Sequence, residues 1–145
     1  MTSREKNVEV MLEIFHAIER RDQKRMFDLV RPDAEFLWPP SLPYAGARNP
    51  KPGSPGWGST WIPLQPGEAD RSLEPRVVAS SDEEVVIHWR QKGISPAGDR
   101  IDTPVLGLYR LRDGKLARAQ MFYFDCAAVV DFLAKANAQA ASASR

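Results

Sequence analysis

With one cysteine, the chain has no pair to close into a disulfide, and adding only two histidines leaves too few ligands for a zinc cluster. Neither of the familiar glycine-rich phosphate loops occurs, so nucleotide chemistry lacks its usual signature. An excess of one charge is missing as well: 20 basic and 19 acidic side chains are interspersed, giving a net charge of +1. Without a basic stripe there is no footprint for nucleic acid or for an anionic membrane. No apolar run approaches the roughly 20 residues of a membrane span. The opening MTSREKNVEV has no apolar core of the kind a signal peptide carries. These absences point to a soluble, cytoplasmic protein with no bound metal.

What is present fits one globular domain over residues 1–145, of which 43% are apolar. Val8, Met11, Leu12, Phe15 and Ile18 recur at helical spacing after Thr2 or Ser3, which predicts a capped amphipathic helix over about residues 3–21. Asp22 caps a second, shorter helix with Met26, Phe27, Leu29 and Val30 on its apolar side, ended by Pro32. Ala34–Trp38 reads as a short strand. Residues 39–58 (PPSLPYAGARNPKPGSPGWG) are rich in proline and glycine yet carry Tyr44 and Trp57 between apolar elements, which predicts a pocket-rim loop. Ser59–Leu64 follows as a helical turn broken by Pro63, then strands at Arg76–Ala79 and Val85–Lys92. Ala127–Ala136 closes the chain as a short helix, with a frayed Ala/Ser tail over 137–145.

The most telling run is Val105–Asp125, VLGLYRLRDGKLARAQMFYFD: two alternating strands joined at Asp113-Gly114, ending in a carboxylate beside aromatics. Asp-Gly between alternating apolar runs signals a hairpin, because a type I′ turn needs positive φ at both central residues. Helices followed by a mostly antiparallel sheet make an α+β fold. A sheet curved around the N-terminal helices leaves a cone-shaped pocket.

These segments resemble a known group. The helix pair ending in Arg21-Asp22, the Arg31-Pro32-Asp33-Ala34 step into a strand, Pro43-Tyr44-Ala45-Gly46, VVIHWR, and the hairpin ending in Tyr123-Phe124-Asp125 together resemble the SnoaL-like branch of the nuclear transport factor 2-like superfamily. The resemblance implies a curved sheet around a deep apolar pocket, often in a homodimer packed sheet to sheet. Its members include cyclases, isomerases, hydrolases and binding proteins, so fold alone does not decide activity. Three of their mechanisms lack residues here. The positions matching the ketosteroid isomerase tyrosine and two aspartates are Ile14, Trp38 and Gly107. The epoxide hydrolase triad finds Arg90 and Asp125 but Lys92 in place of its second carboxylate, and scytalone dehydratase's paired histidines have only His16 and His88 to draw on. The SnoaL-type cyclases, which act by an aspartate acid/base in an apolar pocket without a cofactor, survive this comparison.

The candidate catalytic residues are therefore Asp125, assisted by Tyr123, His88 or Arg90. Desolvation among aromatics would raise the Asp125 pKa toward a useful range, and a neighbouring Asp102 would raise it further. The same carboxylate immediately precedes a helix and is equally well read as its cap. Trp38, Tyr44 and Trp57, with Leu106, Met121 and Asp102, are the candidate substrate contacts, whereas Trp61 reads as core. An ideal two-residue hairpin pairs Leu106 with Met121, Pro104 with Tyr123 and Asp102 with Asp125 on one face. Placing Gly107 in the pocket instead demands a β-bulge. The leading expectation is a cyclase or isomerase for an apolar polyketide-like molecule; the alternatives are a non-catalytic binding or dimerisation module and an epoxide hydrolase-like enzyme.

Overall fold

The computed structural model describes residues 2–45 and 56–143, so half of the expected rim loop, residues 46–55, lies outside the described residues. Helix α1 spans Ser3–Glu19. It starts at a capping box, in which the Thr2 hydroxyl accepts from the Glu5 amide while the Glu5 carboxylate accepts from the Thr2 amide. Asp22 caps α2, Gln23–Asp28, by accepting from the Arg25 amide at 3.0 Å. This second helix stops sooner than Pro32 implies, because Leu29 and Val30 have left it. Val30 is β-branched and buried, and it opens strand β1, Val30–Leu37, by pairing with Leu116. Pro32 stands in this edge strand, where the register with its neighbour slips between Val30 and Glu35. A missing amide proton costs little at such a place.

Two short helices, α3 (Trp57–Trp61) and α4 (Glu68–Arg71), flank a 3₁₀ turn at Ile62–Leu64 that accommodates Pro63. Strands β2 (Arg76–Ser80), β3 (Glu84–Ile94), β4 (Arg100–Arg112) and β5 (Lys115–Tyr123) complete one sheet of order β1-β5-β4-β3-β2. Every pairing is antiparallel except β1 with β5. The final helix α5 runs over Cys126–Ala143, so the tail expected to fray is helical at least to Ala143. Alanine has the highest helix propensity, and Gln139 anchors the extension by accepting from the Ala97 amide and donating to Asp99.

The β4–β5 hairpin decides what faces inward. Asp113 and Gly114 have φ of 54° and 74°, as a type I′ turn requires. Leu111 pairs with Leu116, but Arg110 pairs with Arg118, so Ala117 is an extra residue on β5 and forms a bulge. Beyond it Gly107 pairs with Met121 and Val105 with Tyr123, replacing the ideal-hairpin pairing of Leu106 with Met121. Val105, Gly107, Met121 and Tyr123 turn toward the helices, and Leu106 and Phe122 turn away. On β3 the alternation puts Val85, Ile87, Trp89 and Gln91 inside and leaves His88, Arg90 and Lys92 on the convex face.

Candidate functional site

Between α1, α2, α3 and the concave face of the sheet lies a cavity of about 310 Å³. Met11, Ile14 and Phe15 line it from α1, Trp38 from the end of β1, Trp57 from α3, and Trp89, Tyr109 and Met121 from the sheet. The aromatic walls meet edge to face: Phe15 and Tyr109 have centroids 5.8 Å apart at 88°, and Trp57 and Trp89 are 6.5 Å apart at 74°. Gly107 makes room for one of these rings. Any Cβ there would overlap the Tyr109 hydroxyl, so a larger residue would drive Tyr109 out of its place.

Behind Trp38 and Trp57 runs a buried polar chain. Trp61 Nε1 donates to the Tyr44 hydroxyl at 3.2 Å, and the Tyr44 and Tyr123 hydroxyls are 2.8 Å apart. Tyr123 donates to Gln91 Oε1 at 3.1 Å, and Trp57 Nε1 donates to the same oxygen at 2.6 Å. Because Tyr44 accepts from Trp61 and Tyr123 gives its proton to Gln91, Tyr44 must be the donor between the two phenols. Burial pushes the Tyr44 hydroxyl up to about 12, against the opposing pull of its bonds to Tyr123 and Trp61. Burial, reinforced by the Tyr44 neighbour, raises Tyr123 well above the ordinary tyrosine value, and burial also raises Tyr109. At neutral pH all three are proton donors.

Three of the candidate substrate contacts, Trp38, Trp57 and Met121, lie on the cavity wall. Tyr44 and Tyr123 lie one layer deeper, packed against Trp38 and held in the polar chain. The remaining candidates lie elsewhere. His88 and Leu106 are on the convex face, where Arg90 Nε also pairs with Asp102 Oδ1 at 2.5 Å. Asp125 is exposed, and its Oδ1 accepts from the Ala128 amide at 3.0 Å, capping α5. Its neighbour Phe124 is 84% exposed, so the aromatics expected to desolvate the carboxylate do not cover it. Neither Asp102 nor Asp125 lines this cavity. Trp61, read as core, is fully buried and stacks on Phe132 at 5.9 Å.

Trp89 and Tyr109 were not among the expected contacts. The signal for Trp89 is present in the sequence, since Val85, Ile87 and Trp89 form the apolar side of an alternating strand whose other side is His88, Arg90 and Lys92. Among the described residues, Asp22 supplies the one carboxylate on the cavity wall, and it is occupied by the α2 cap and by Arg20 at 3.5 Å. Among the same residues no group of three or more His, Cys, Asp or Glu is placed to hold a metal ion, and no helix is long and apolar enough to cross a membrane.

Comparison with known proteins agrees with this architecture. The SnoaL-like domain model matches residues 11–119. A protein from a soil-derived mobile gene cassette, Bal32a, is 18% identical with a TM-score of 0.74, the match covering 91% of this chain and 99% of that one. TerC, co-crystallised with polyporic acid, is 20% identical with a TM-score of 0.65 over 88% of this chain and 98% of its own. A putative SnoaL-like polyketide cyclase from Jannaschia sp. CCS1 is 18% identical with a TM-score of 0.64, covering 89% and 92%. At these identities the likeness is one of fold. No curated protein matches the chain.

Proposed function

The chain belongs to the SnoaL-like domain family, and from that premise we propose that it binds and orients an apolar, ring-rich small molecule of polyketide-like character in the concave cavity. The observation that carries this reading is the cavity itself: about 310 Å³, walled by Phe15, Trp38, Trp57, Trp89, Tyr109 and Met121. That volume lies at the lower end of the range for small-molecule sites, about 300–1,000 Å³. Flat rings bury well against edge-to-face indoles and phenols. The polyporic acid co-crystallised with TerC, a ring-rich molecule, and the putative SnoaL-like polyketide cyclase among the structural neighbours support this reading. We place the protein in the cytoplasm as a homodimer packed through the convex face, where Leu106 and Phe122 are exposed. The direct test fills the cavity. Ala119 is buried on its wall, and Ala119→Phe should weaken binding of 2-naphthamide by at least about tenfold, the order expected when buried apolar contact is lost. Tryptophan fluorescence reads the titration. Unchanged affinity in a folded variant would place the ligand elsewhere.

A second reading, a cofactor-independent cyclase or isomerase, is favoured by one observation. Trp89 lines the cavity, and its buried Nε1, with the Tyr109 hydroxyl as its neighbour, makes no hydrogen bond of good geometry among the described residues. An unpaired buried donor costs about 1–3 kcal/mol, and an enolate oxygen reaching it past the Tyr109 ring would relieve that cost while charge develops. In this reading catalysis rests on folding the ligand and donating hydrogen bonds. Asp125, His88 and Arg90 have no part in it. It requires that Trp89→Phe reduce turnover of an aromatic β-diketone much more than its binding; equal losses would leave the binder.

A further inference from the structure

Arg21 stands at the corner between α1 and α2 with φ of 62°, in the left-handed region that a residue with a Cβ seldom adopts. Arg21 lines the cavity together with Asp22 and Phe27, and Phe27 is 60% exposed, which marks this as the solvent end of the cavity. The guanidinium donates to the Ile18 carbonyl at 3.2 Å and to Gln65 Oε1 at 2.7 Å. Two of its five N–H groups are thus engaged by neutral acceptors, leaving three.

Among the described residues no carboxylate neutralises it. Every aspartate and glutamate of the chain falls among the described residues, and none is paired with Arg21. The nearby acids are committed elsewhere: Asp22 to the α2 cap and Arg20, Glu19 to the Leu73 amide, and Asp70 to Arg100. A second guanidinium, Arg71, lies near Gln65 as well, donating to the carbonyls of Gln65 and Pro66. Burial first, and then the Arg71 charge, make the cationic form of Arg21 less comfortable. A half-buried cation held in a strained backbone, without a counter-ion, at the mouth of an apolar cavity is a place where an anion gains more than it would in water.

We propose that Arg21 receives the carboxylate of a ligand whose apolar rings occupy the cavity. The planar fork of the guanidinium suits a carboxylate, while the aromatic walls suit the rings. This inference rests on the cavity being the ligand site. An arginine that merely ties α1 to the 62–65 turn would make the same two hydrogen bonds and would be indifferent to ligand charge.

The test compares 2-naphthoate with 2-naphthamide, which share shape and differ in charge, by tryptophan fluorescence at low and high salt. The wild-type protein should bind naphthoate about tenfold more tightly at low salt, with the advantage shrinking as salt rises. In Arg21→Met the preference for naphthoate should vanish, the two probes binding equally; Arg21→Lys should keep part of the preference. A preference that survives in Arg21→Met overturns the proposal. Should Arg21→Met fail to fold, the wild-type ratio and its salt dependence still decide, because equal binding of the two probes by the wild type also overturns it. Equal binding removes only the role of Arg21, whereas failure of both probes to bind removes the reading of the cavity along with it.

Discussion

A carboxylate that precedes a helix and follows three aromatics has two physical readings, and what separates them is exposure. Asp125 is bonded to the Ala128 amide at 3.0 Å, and Phe122 and Phe124 beside it are 51% and 84% exposed. The cap was legible in the sequence from the residue type and its position before an apolar helical run. The exposure of the flanking rings was not, since it depends on which side of β5 each occupies. Asp125→Ala should destabilise the protein by about 1 kcal/mol, the usual cost of a lost N-cap, and Asp125→Asn should cost little because asparagine caps nearly as well. Urea denaturation measures both, and 2-naphthamide affinity should be unchanged in each. If Asp125→Asn binds the probe poorly while keeping its stability, the carboxylate contributes to the site after all.

The elements were readable where periodicity is strong and misread where one residue breaks it. Asp113-Gly114 announces its turn through the φ requirement alone, and both residues adopt it. Ala117 announces nothing: an alanine is as acceptable in a regular strand as at a bulge, yet its extra place in β5 turns Met121 and Tyr123 inward. The inward Tyr123 then meets Tyr44, which lies just after β1, so the two phenols join the segment leading out of β1 to the sheet. Titration of this pair is a measure of that join. In the unfolded chain a tyrosine ionises near pH 10, whereas Tyr44 is raised to about 12 and Tyr123 is raised too. The folded state therefore holds protons that the unfolded state has released. The stability conferred by the protonated pair is fully present below about pH 10 and is lost as pH climbs toward the folded values. Stability measured by urea between about pH 9 and 12 should fall with a slope that Tyr44→Phe reduces. An identical slope in that variant would mean that other groups cause the alkaline loss.

At the scale of the molecule, one curved sheet has two unlike faces. The concave face and the helices make the cavity from a single chain. The general plan was legible because helices come first, alternating strands follow, and the segments resemble a family of known architecture. The size of the cavity was not legible, since it depends on the bulge and on how Trp38 leans against Tyr44 and Trp57 against Trp89. The convex face carries Leu106, 41% exposed, paired across the ladder with Phe122, 51% exposed. Adjacent exposed apolar side chains on a broad sheet lose free energy to water unless another surface covers them. In the proposed homodimer a second copy would cover like with like through a two-fold axis, each Phe122 patch facing its equivalent. Phe122→Lys places a cation in both facing patches, and like charges brought together at an interface cost several kcal/mol. The wild-type chain should sediment as a dimer and Phe122→Lys as a monomer. Because the cavity opens on the opposite face, the monomer should bind 2-naphthamide with wild-type affinity per chain. A wild type that sediments as a monomer at micromolar concentration would refute the sheet-to-sheet dimer. A monomeric variant that has lost binding would show that the two faces are coupled through the sheet between them.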